Sequence, residues 1–359
     1  MTPPVPCRPD METPETGEAE ALQSIMDGLR EIMDSTAETE GHAIRSVHAK
    51  GHGYLRCSLT VLPGLPPELA QGLFASPGEH EAILRVSTNP GDLLDDGVTV
   101  PRGAALKVLH VEGERLPDAE GDAQDFVLVN GPAFAASSLK AFAGNLRLLA
   151  KTTDRAEWAK KALSGVLRTA EKALEAVGGE SATLKTMGGA PNVHPLGETY
   201  YSQAAFRHGD YVAKYALVPV SPSLTRHAGE EIDATGRPDA IREEMNRATP
   251  EAPMEWELRA QLLRDEAKQP VEDPSVEWDE AVSPFVTIAR LKAGPQPAWT
   301  PERAALDDSL RFSVWTGLAA HQPLGAINRA RRDTYRMSAE FRERVNGCPV
   351  REPASADLP

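Results

Sequence analysis

The sequence predicts an α+β fold in which an antiparallel β-barrel carries helices on its surface. Two observations favour this class. Short runs of strand-forming residues, separated by Gly, Pro and Asp clusters, occupy residues 43–130 and return after residue 200. Segments with apolar residues at helical spacing lie before, between and after these runs. With 359 residues, of which 41% are hydrophobic and 25% charged, such a domain can bury both a core and a cofactor cavity.

The charge and the cysteines restrict the partners and the compartment. A net charge of −15 argues against nucleic acid and anionic lipid surfaces, because both would be repelled. Cys7, Cys57 and Cys348 lie far apart without a CxxC pair, so we expect free thiols in a reducing compartment. The N-terminus has neither the basic start nor the apolar stretch of a signal or membrane span. We therefore expect a cytoplasmic protein without stable membrane insertion.

The first half of the chain alternates between helix and strand signals. Residues 1–16 are rich in Pro, Thr and Glu, which predicts a disordered tail. The elements predicted after it are a helix over 19–33, strands over 82–88, 104–111 and 125–130, a helix beginning after Ser137 and Ser138, and a helix over 154–177.

The second half returns to strands and ends on a helix. The predicted elements are a hairpin over 200–220 that turns at 208–210, strands over 254–263 and 284–291, and a final helix over 323–345 that stops at Asn346 and Gly347. The acidic, proline-bearing stretches 227–253 and 266–283 predict surface connections. We therefore expect one domain over 17–347, followed by a flexible tail over 348–359.

Two segments near the N-terminus carry a specific pattern. RSVHAKG at 45–51 resembles the distal-face signature of the haem catalases, which implies that Arg45 reaches a haem propionate and His48 stands over the iron. ILRVSTNPGD at 83–92 resembles the catalase strand in which Arg85 would contact a propionate and Ser87 would hydrogen-bond the histidine. Residues i and i+2 of a strand project from one face, so Arg85 and Ser87 can face the same pocket. A lone histidine or Arg-Ser pair is more often structural; the surrounding matches favour catalysis.

A third segment resembles the distal wall of the catalases. Within DFVLVNGPAFAASSLKAF at 125–142, the residues in register with the family's carboxylate, asparagine, proline and two channel phenylalanines are Asp125, Asn130, Pro132, Phe134 and Phe142. The family has two consecutive asparagines, the first of which hydrogen-bonds peroxide, whereas this chain has Val129 and then Asn130. In this register the catalytic amide is lost; with a one-residue shift of the loop, Asn130 supplies it.

The final helix resembles the proximal side of the catalases. Arg331, Tyr335 and Arg342 reproduce the spacing around the family's tyrosinate ligand, which implies that Tyr335 binds iron, Arg331 stabilises the phenolate and Arg342 reaches a propionate. A phenol titrates near ~10, so a phenolate ligand at neutral pH needs the metal and a close cation. Arg331 lies one helical turn before Tyr335. An isolated RxxxY would be read as a solvated basic helix, but Arg45 and Arg85 complete the cation cluster that a dianionic cofactor requires.

The resemblance covers roughly residues 40–346, and the chain looks like the short catalase-related proteins. It implies haem, expected as haem b, and an enzyme that processes hydrogen peroxide or organic hydroperoxides, with a small organic electron donor. Rearrangement of a lipid hydroperoxide, as in allene oxide synthases, is an alternative; Val47, also expected at the haem, matches catalases rather than the coral enzyme. A haem-binding barrel without turnover is a second alternative, against which the pairing of His48 with Ser87 argues. A homodimer is left open.

Overall fold

The computed structural model describes residues 2–150 and 192–359. The predicted helix over 154–177 lies outside these residues. Within them the strands, in chain order, are β1 (Gly51–Val61), β2 (Gly78–Thr88), β3 (Arg102–Val108), β4 (Gln124–Val129), β5 (Tyr200–Tyr201), β6 (Phe206–His208), β7 (Tyr211–Pro219), β8 (Met254–Leu262) and β9 (Val286–Ala293). The predicted strand positions are confirmed, and so is the hairpin, since His208 pairs with Tyr211 across a two-residue turn.

The strands form a closed antiparallel barrel. Their order is β5-β4-β3-β2-β1-β9-β8-β7, and the pairing of β5 with β7 closes the ring. The remaining strand, β6, also pairs with β7. Because side chains alternate across each strand, every strand has an inner and an outer face. On β2, Leu84 and Val86 belong to the main core, whereas Arg85 and Ser87 face the outer wall. The predicted antiparallel barrel with surrounding helices is confirmed.

The helices lie on the outside of this barrel. They are α1 (Glu18–Glu40), α2 (Leu139–Ala150), α3 (Pro222–Thr225), α4 (Ala240–Ala248), α5 (Pro301–Ala304), α6 (Leu306–Ser309) and α7 (Ala326–Asn346). Helices α1, α2 and α7 share a second apolar core that includes Ile25, Leu29, Leu139, Ile327 and Phe341. This core holds α7 against the protein. None of the helices within the described residues combines the length and apolar character needed to cross a bilayer.

One predicted surface connection contains a packed helix. The acidic stretch 227–253 was expected to run over the surface, but α4 lies within it and buries Ile241 and Met245 against the main core. Its exposed face carries the acidic and basic residues that dominated the composition. Helix α4 was therefore not predicted from the sequence, because the apolar spacing of this short helix is interrupted by many charged residues.

Both terminal segments lie against the barrel. Their composition predicted flexible tails over 1–16 and 348–359. In the structure the backbone N–H of Val5 donates to the carbonyl of Leu263 at 2.8 Å, and Ala356 is fully buried. Backbone hydrogen bonds and a few buried side chains therefore hold both terminal segments against the barrel, although these segments contain few apolar residues.

Candidate functional site

A cavity lies between the outer wall of the barrel and helix α7. The space between its lining residues amounts to about 570 Å³, part of which is open to solvent. Strands β2, β3 and β4 form one side, and α7 forms the other. Seven of the residues selected from the sequence line it, namely Arg45, Val47, His48, Arg85, Ser87, Tyr335 and Arg342. The motifs at 45–51, 83–92 and 331–342 therefore meet at one place.

His48 is held over strand β3 by its backbone and by a serine. Its φ of +53° is unusual for a residue with a side chain, and its N–H donates to the carbonyl of Asn89 at 2.7 Å. The Nδ1 atom lies 3.1 Å from Ser87 Oγ. A Cβ on Gly103 would lie only 2.4 Å from Nδ1 and Cε1 of the imidazole. Gly103 is thus the residue of β3 that makes room for the ring.

The environment of His48 keeps its imidazole neutral. Burial lowers the pKa of His48 to about 3, and the charges of Arg85, Arg331 and Arg45 act in the same direction. At neutral pH the ring is therefore uncharged. When Nδ1–H donates to Ser87, Nε2 has a free lone pair, so the ring can accept a proton at that atom.

Three guanidinium groups meet at the edge of the cavity around one carboxylate. Arg45 and Arg85 contact Oδ1 of Asp307 at 2.6 Å and 2.8 Å, and the Tyr54 hydroxyl donates to the same oxygen at 2.6 Å. Although burial alone would raise it, the pKa of Asp307 is held below its ordinary value by Arg85, Arg45 and Tyr54. Arg342 also contacts this residue, but only through its backbone oxygen, at 2.7 Å. The carboxylate is therefore shared by two of the three cations.

Arg342 has unsatisfied hydrogen-bonding capacity. Its side chain is buried on α7, and its Nη1 donates only to the backbone oxygens of Asp307 and Asp308. Its Nε atom has no hydrogen-bond partner. Burial, followed by the charge of Arg45, lowers the pKa of Arg342 to about 9. A buried cation with an unpaired donor is costly unless an anion pairs with it, so this position calls for a negatively charged ligand.

Tyr335 occupies the α7 side of the cavity. It is half-buried, and its hydroxyl has no hydrogen-bond partner among the described residues. Arg331, expected to stabilise its phenolate, instead donates to the side-chain oxygen of Asn328 at 3.1 Å and does not line the cavity. The predicted contact between Arg331 and Tyr335 is thus absent from this structure. Tyr335 therefore lines the cavity without this arginine beside its hydroxyl.

The segment at 125–142 contributes less to the cavity than we expected. The Asn130 oxygen accepts from the Arg102 N–H at 2.7 Å and its amide nitrogen donates to Glu198, so this amide is used elsewhere. Phe134 and Phe142 contact each other, with ring centroids 5.2 Å apart, and pack against the second core instead of lining the cavity.

Asp125 is also engaged outside the cavity. It is buried in an ion pair with Lys107 at 2.8 Å. The predicted placement of this segment as the wall facing the ligand is therefore wrong for all but its strand, since Val127 and Leu128 do line the cavity.

Sequence reasoning missed several residues of the site, including Arg311 in the cavity lining. Asp307, Tyr54 and Gly103 hold its charged and imidazole groups, and Phe312 adds apolar lining. Gly103 follows a proline-arginine pair. A glycine within a strand often marks a position where another group approaches the backbone closely, so the sequence contains some indication of this residue. Asp307 lies in the run LDDS, which carries no recognisable signal.

The comparisons with known proteins support the fold. No protein-family model matches the chain, and no curated protein matches it by sequence. The chain is similar to the solved structure of a fungal catalase, with a TM-score of 0.61, 18% identity and coverage of 91% of this chain and 66% of that one. For catalase A from Saccharomyces cerevisiae the values are 0.61, 17%, 91% and 69%. For a bacterial catalase they are 0.59, 17%, 88% and 62%.

These values limit what the likeness shows. The chain spans about two thirds of the length of the catalases that it matches. At 17–18% identity the likeness concerns the fold alone. The protein therefore has a catalase-like fold, with a cavity on the barrel wall where three separate sequence motifs come together.

Proposed function

We propose that this cavity binds haem and that the protein is a haem-dependent enzyme that processes peroxides by peroxidase or catalase chemistry. One observation carries the proposal. The neutral imidazole of His48 and the phenol of Tyr335 lie on opposite walls of one cavity, and Arg45, Arg85 and Arg342 line it as well. This arrangement supports a ligand that meets a proton acceptor, an oxygen donor and an anion site at the same time.

The residues present fit a haem. The cavity combines apolar lining, including Val47, Val127 and Phe312, with cations that exceed the available carboxylates. Arg342 is buried, lines the cavity and has an unpaired Nε, and this combination supports an anion at that position. A flat, largely apolar macrocycle with two carboxylates meets both requirements.

Each residue would then have a distinct task. Tyr335 would hold the iron through its phenol oxygen, and Arg45, Arg85 and Arg342 would bind the carboxylates. When bound, haem supplies a redox-active iron that can activate a peroxide. His48 would accept a proton from peroxide at Nε2 and return it to the departing oxygen, which is general acid–base catalysis. Ser87 would orient the ring through Nδ1.

We propose that oxidation of small organic donors outpaces the release of oxygen from hydrogen peroxide. Among the described residues that line the cavity, none carries a side-chain amide. A lost hydrogen-bond donor to a developing charge commonly costs roughly 3–4 kcal/mol of transition-state stabilisation. Asn130 would not replace it, because its amide contacts Arg102 and Glu198. Rearrangement of lipid hydroperoxides is the second candidate, and Val47 at the cavity wall argues against it.

The first experiment tests the cofactor. The purified protein should contain haem, and Tyr335→Phe should reduce haem retention or change the absorption spectrum. Tyr211→Phe is the matched control, because Tyr211 does not line the cavity. A wild-type protein that binds no haem would overturn the proposal, and an unchanged Tyr335→Phe spectrum would remove the ligand assignment.

The second experiment tests the proton acceptor. His48→Ala should keep its haem but consume peroxide about 10²–10⁴ times more slowly, which is the usual effect of removing one general base. His42→Ala is the control, since His42 is exposed and contacts the side chain of Asp308. Normal turnover by the His48 variant would make this histidine structural.

A further inference from the structure

We propose that Asp307 is an internal counter-ion that competes with the carboxylates of the bound ligand for Arg45 and Arg85. It would stabilise the ligand-free protein while lowering its affinity for the ligand. This inference rests on the proposed function, because it takes haem, with two carboxylates, as the ligand. It concerns a residue outside the motifs that suggested haem.

All side-chain contacts of Asp307 to the cluster converge on one oxygen. Oδ1 accepts from Nη1 of Arg45 at 2.6 Å, from Nε and Nη2 of Arg85 at 2.9 Å and 2.8 Å, and from the Tyr54 hydroxyl at 2.6 Å. The other oxygen lies over Gly51, where a Cβ would come within 2.6 Å of it. The carboxylate thus takes the position of an anion bound between two guanidinium groups.

The backbone around Asp307 continues this interaction. The carbonyl of Asp307 accepts from both Arg45 and Arg342, at 2.7 Å in each case, and the carbonyl of Leu310 accepts from Arg45 at 2.7 Å. Carbonyls are neutral acceptors, so they satisfy N–H groups without balancing the charge. Among the described residues, Asp307 supplies the only carboxylate in contact with any of these three cations, and it contacts two of them, Arg45 and Arg85.

The charge balance of this cluster differs from that around Arg329. Three guanidinium groups face one carboxylate here, which leaves two positive charges without a carboxylate. Arg329, in contrast, contacts Glu12, Glu18 and Glu272. The cluster therefore carries an excess of positive charge in a chain whose net charge is −15. Two carboxylates would neutralise the cluster.

Anions that share the same cations weaken each other's binding. Each carboxylate gains less from a guanidinium group that another carboxylate already neutralises, and this coupling acts equally in both directions. Removal of the Asp307 charge should therefore destabilise the ligand-free protein and strengthen the binding of a dicarboxylate. If Asp307 instead serves to orient the arginines for the ligand, the same change would weaken binding.

The test compares Asp307→Asn with Asp308→Asn. The control removes the same charge from the same helix, but the Asp308 side chain contacts His42 at the surface. The probes are metal-free protoporphyrin, which has two carboxylates and needs no bond to Tyr335, and its dimethyl ester, which has none. For Asp307→Asn we expect binding of the diacid to tighten about tenfold, binding of the diester to stay unchanged, and the ligand-free protein to unfold at a lower temperature than the control.

The outcomes separate the possibilities. Weaker diacid binding, equal changes for diacid and diester, or a thermal stability equal to that of Asp308→Asn would each overturn the inference. If Asp307→Asn does not fold alone, the diacid should restore folding and the diester should not; rescue by both or by neither contradicts competition. If the wild-type protein binds no porphyrin, the proposed function fails, and the unfolding comparison still decides whether Asp307 is the counter-ion of the ligand-free state.

Discussion

The barrel contains a second buried polar network, which contrasts with the one at the cavity. Inside the barrel, the Leu73 N–H donates to Nε2 of His321 at 3.0 Å, and Nδ1 of His321 lies 3.1 Å from the Tyr215 hydroxyl. That hydroxyl lies 2.9 Å from Nδ1 of His208, whose Nε2 lies 3.1 Å from the Leu69 carbonyl. Because His321 Nε2 accepts, one chain of donors runs from Leu73 to Leu69.

The two networks differ in charge and in completeness. The interior network is neutral, and each of its ring nitrogens and its hydroxyl has a partner. The cavity network is charged, has more cations than carboxylates, and leaves Nε of Arg342 unpaired. Buried polar groups that have hydrogen-bond partners stabilise and specify a fold, whereas buried polar groups without partners can still form hydrogen bonds to a ligand. The two networks therefore differ in that the interior one is fully hydrogen-bonded, whereas the one at the cavity includes a cation with an unpaired donor.

The largest expected effect is the loss of the fold in acid. Burial lowers the pKa of His208 to about 4 and that of His321 to about 3, against about 6.5 in an unfolded chain. Between these values the unfolded state binds more protons, so stability is fully present above about pH 6.5 and falls as the pH drops toward 4 and then 3. His208→Gln should reduce the slope of unfolding free energy against pH by up to one proton. Denaturant unfolding at several pH values measures this slope.

An unchanged slope in His208→Gln would contradict this account, because other buried histidines would then carry the acid dependence. His80→Gln, at a partly exposed strand position, is the matched control and should leave the slope as in the wild type.

The next effect concerns stability at neutral pH. Tyr215→Phe removes the central hydroxyl of the interior network and leaves Nδ1 of both His208 and His321 without a partner. Each unsatisfied buried group costs about 1–3 kcal/mol, so the loss of two should lower the free energy of unfolding by roughly 2–6 kcal/mol. Haem content at low temperature should not change, since Tyr215 does not line the cavity. Chemical denaturation measures the stability, and the absorption spectrum measures the haem content. Loss of haem without loss of stability would contradict the structural role assigned to the interior network.

Local patterns predicted most of the fold and the residue types of the site, but not the contacts between distant residues. Strand alternation places Arg85 and Ser87 on one face, and helical spacing identifies α7, because both depend on neighbours in sequence. Asp307 reaches Arg85 across 222 positions, and only the folded chain brings them together. The direction of the Asn130 amide likewise depends on Glu198, on a different segment. The spacing of residues along the sequence does not show which distant side chain a polar group will contact.

The smallest change in stability is expected for a substitution at Arg342. Such a substitution distinguishes the two networks most clearly, because it should affect ligand binding and not stability. Arg342→Met keeps an unbranched side chain and removes a buried cation whose Nε has no partner. Replacing a poorly compensated buried charge by an apolar group of similar size is often neutral or stabilising. We therefore expect the ligand-free protein to be no less stable than the wild type, while haem binding weakens about tenfold through the loss of one charged hydrogen-bond partner. Thermal unfolding of the ligand-free protein and haem titration measure both quantities.

Arg342→Lys should recover part of the affinity, because it restores the charge without the planar donor group. Destabilisation of the ligand-free protein by Arg342→Met, with haem binding unchanged, would show that this arginine belongs with the structural network instead.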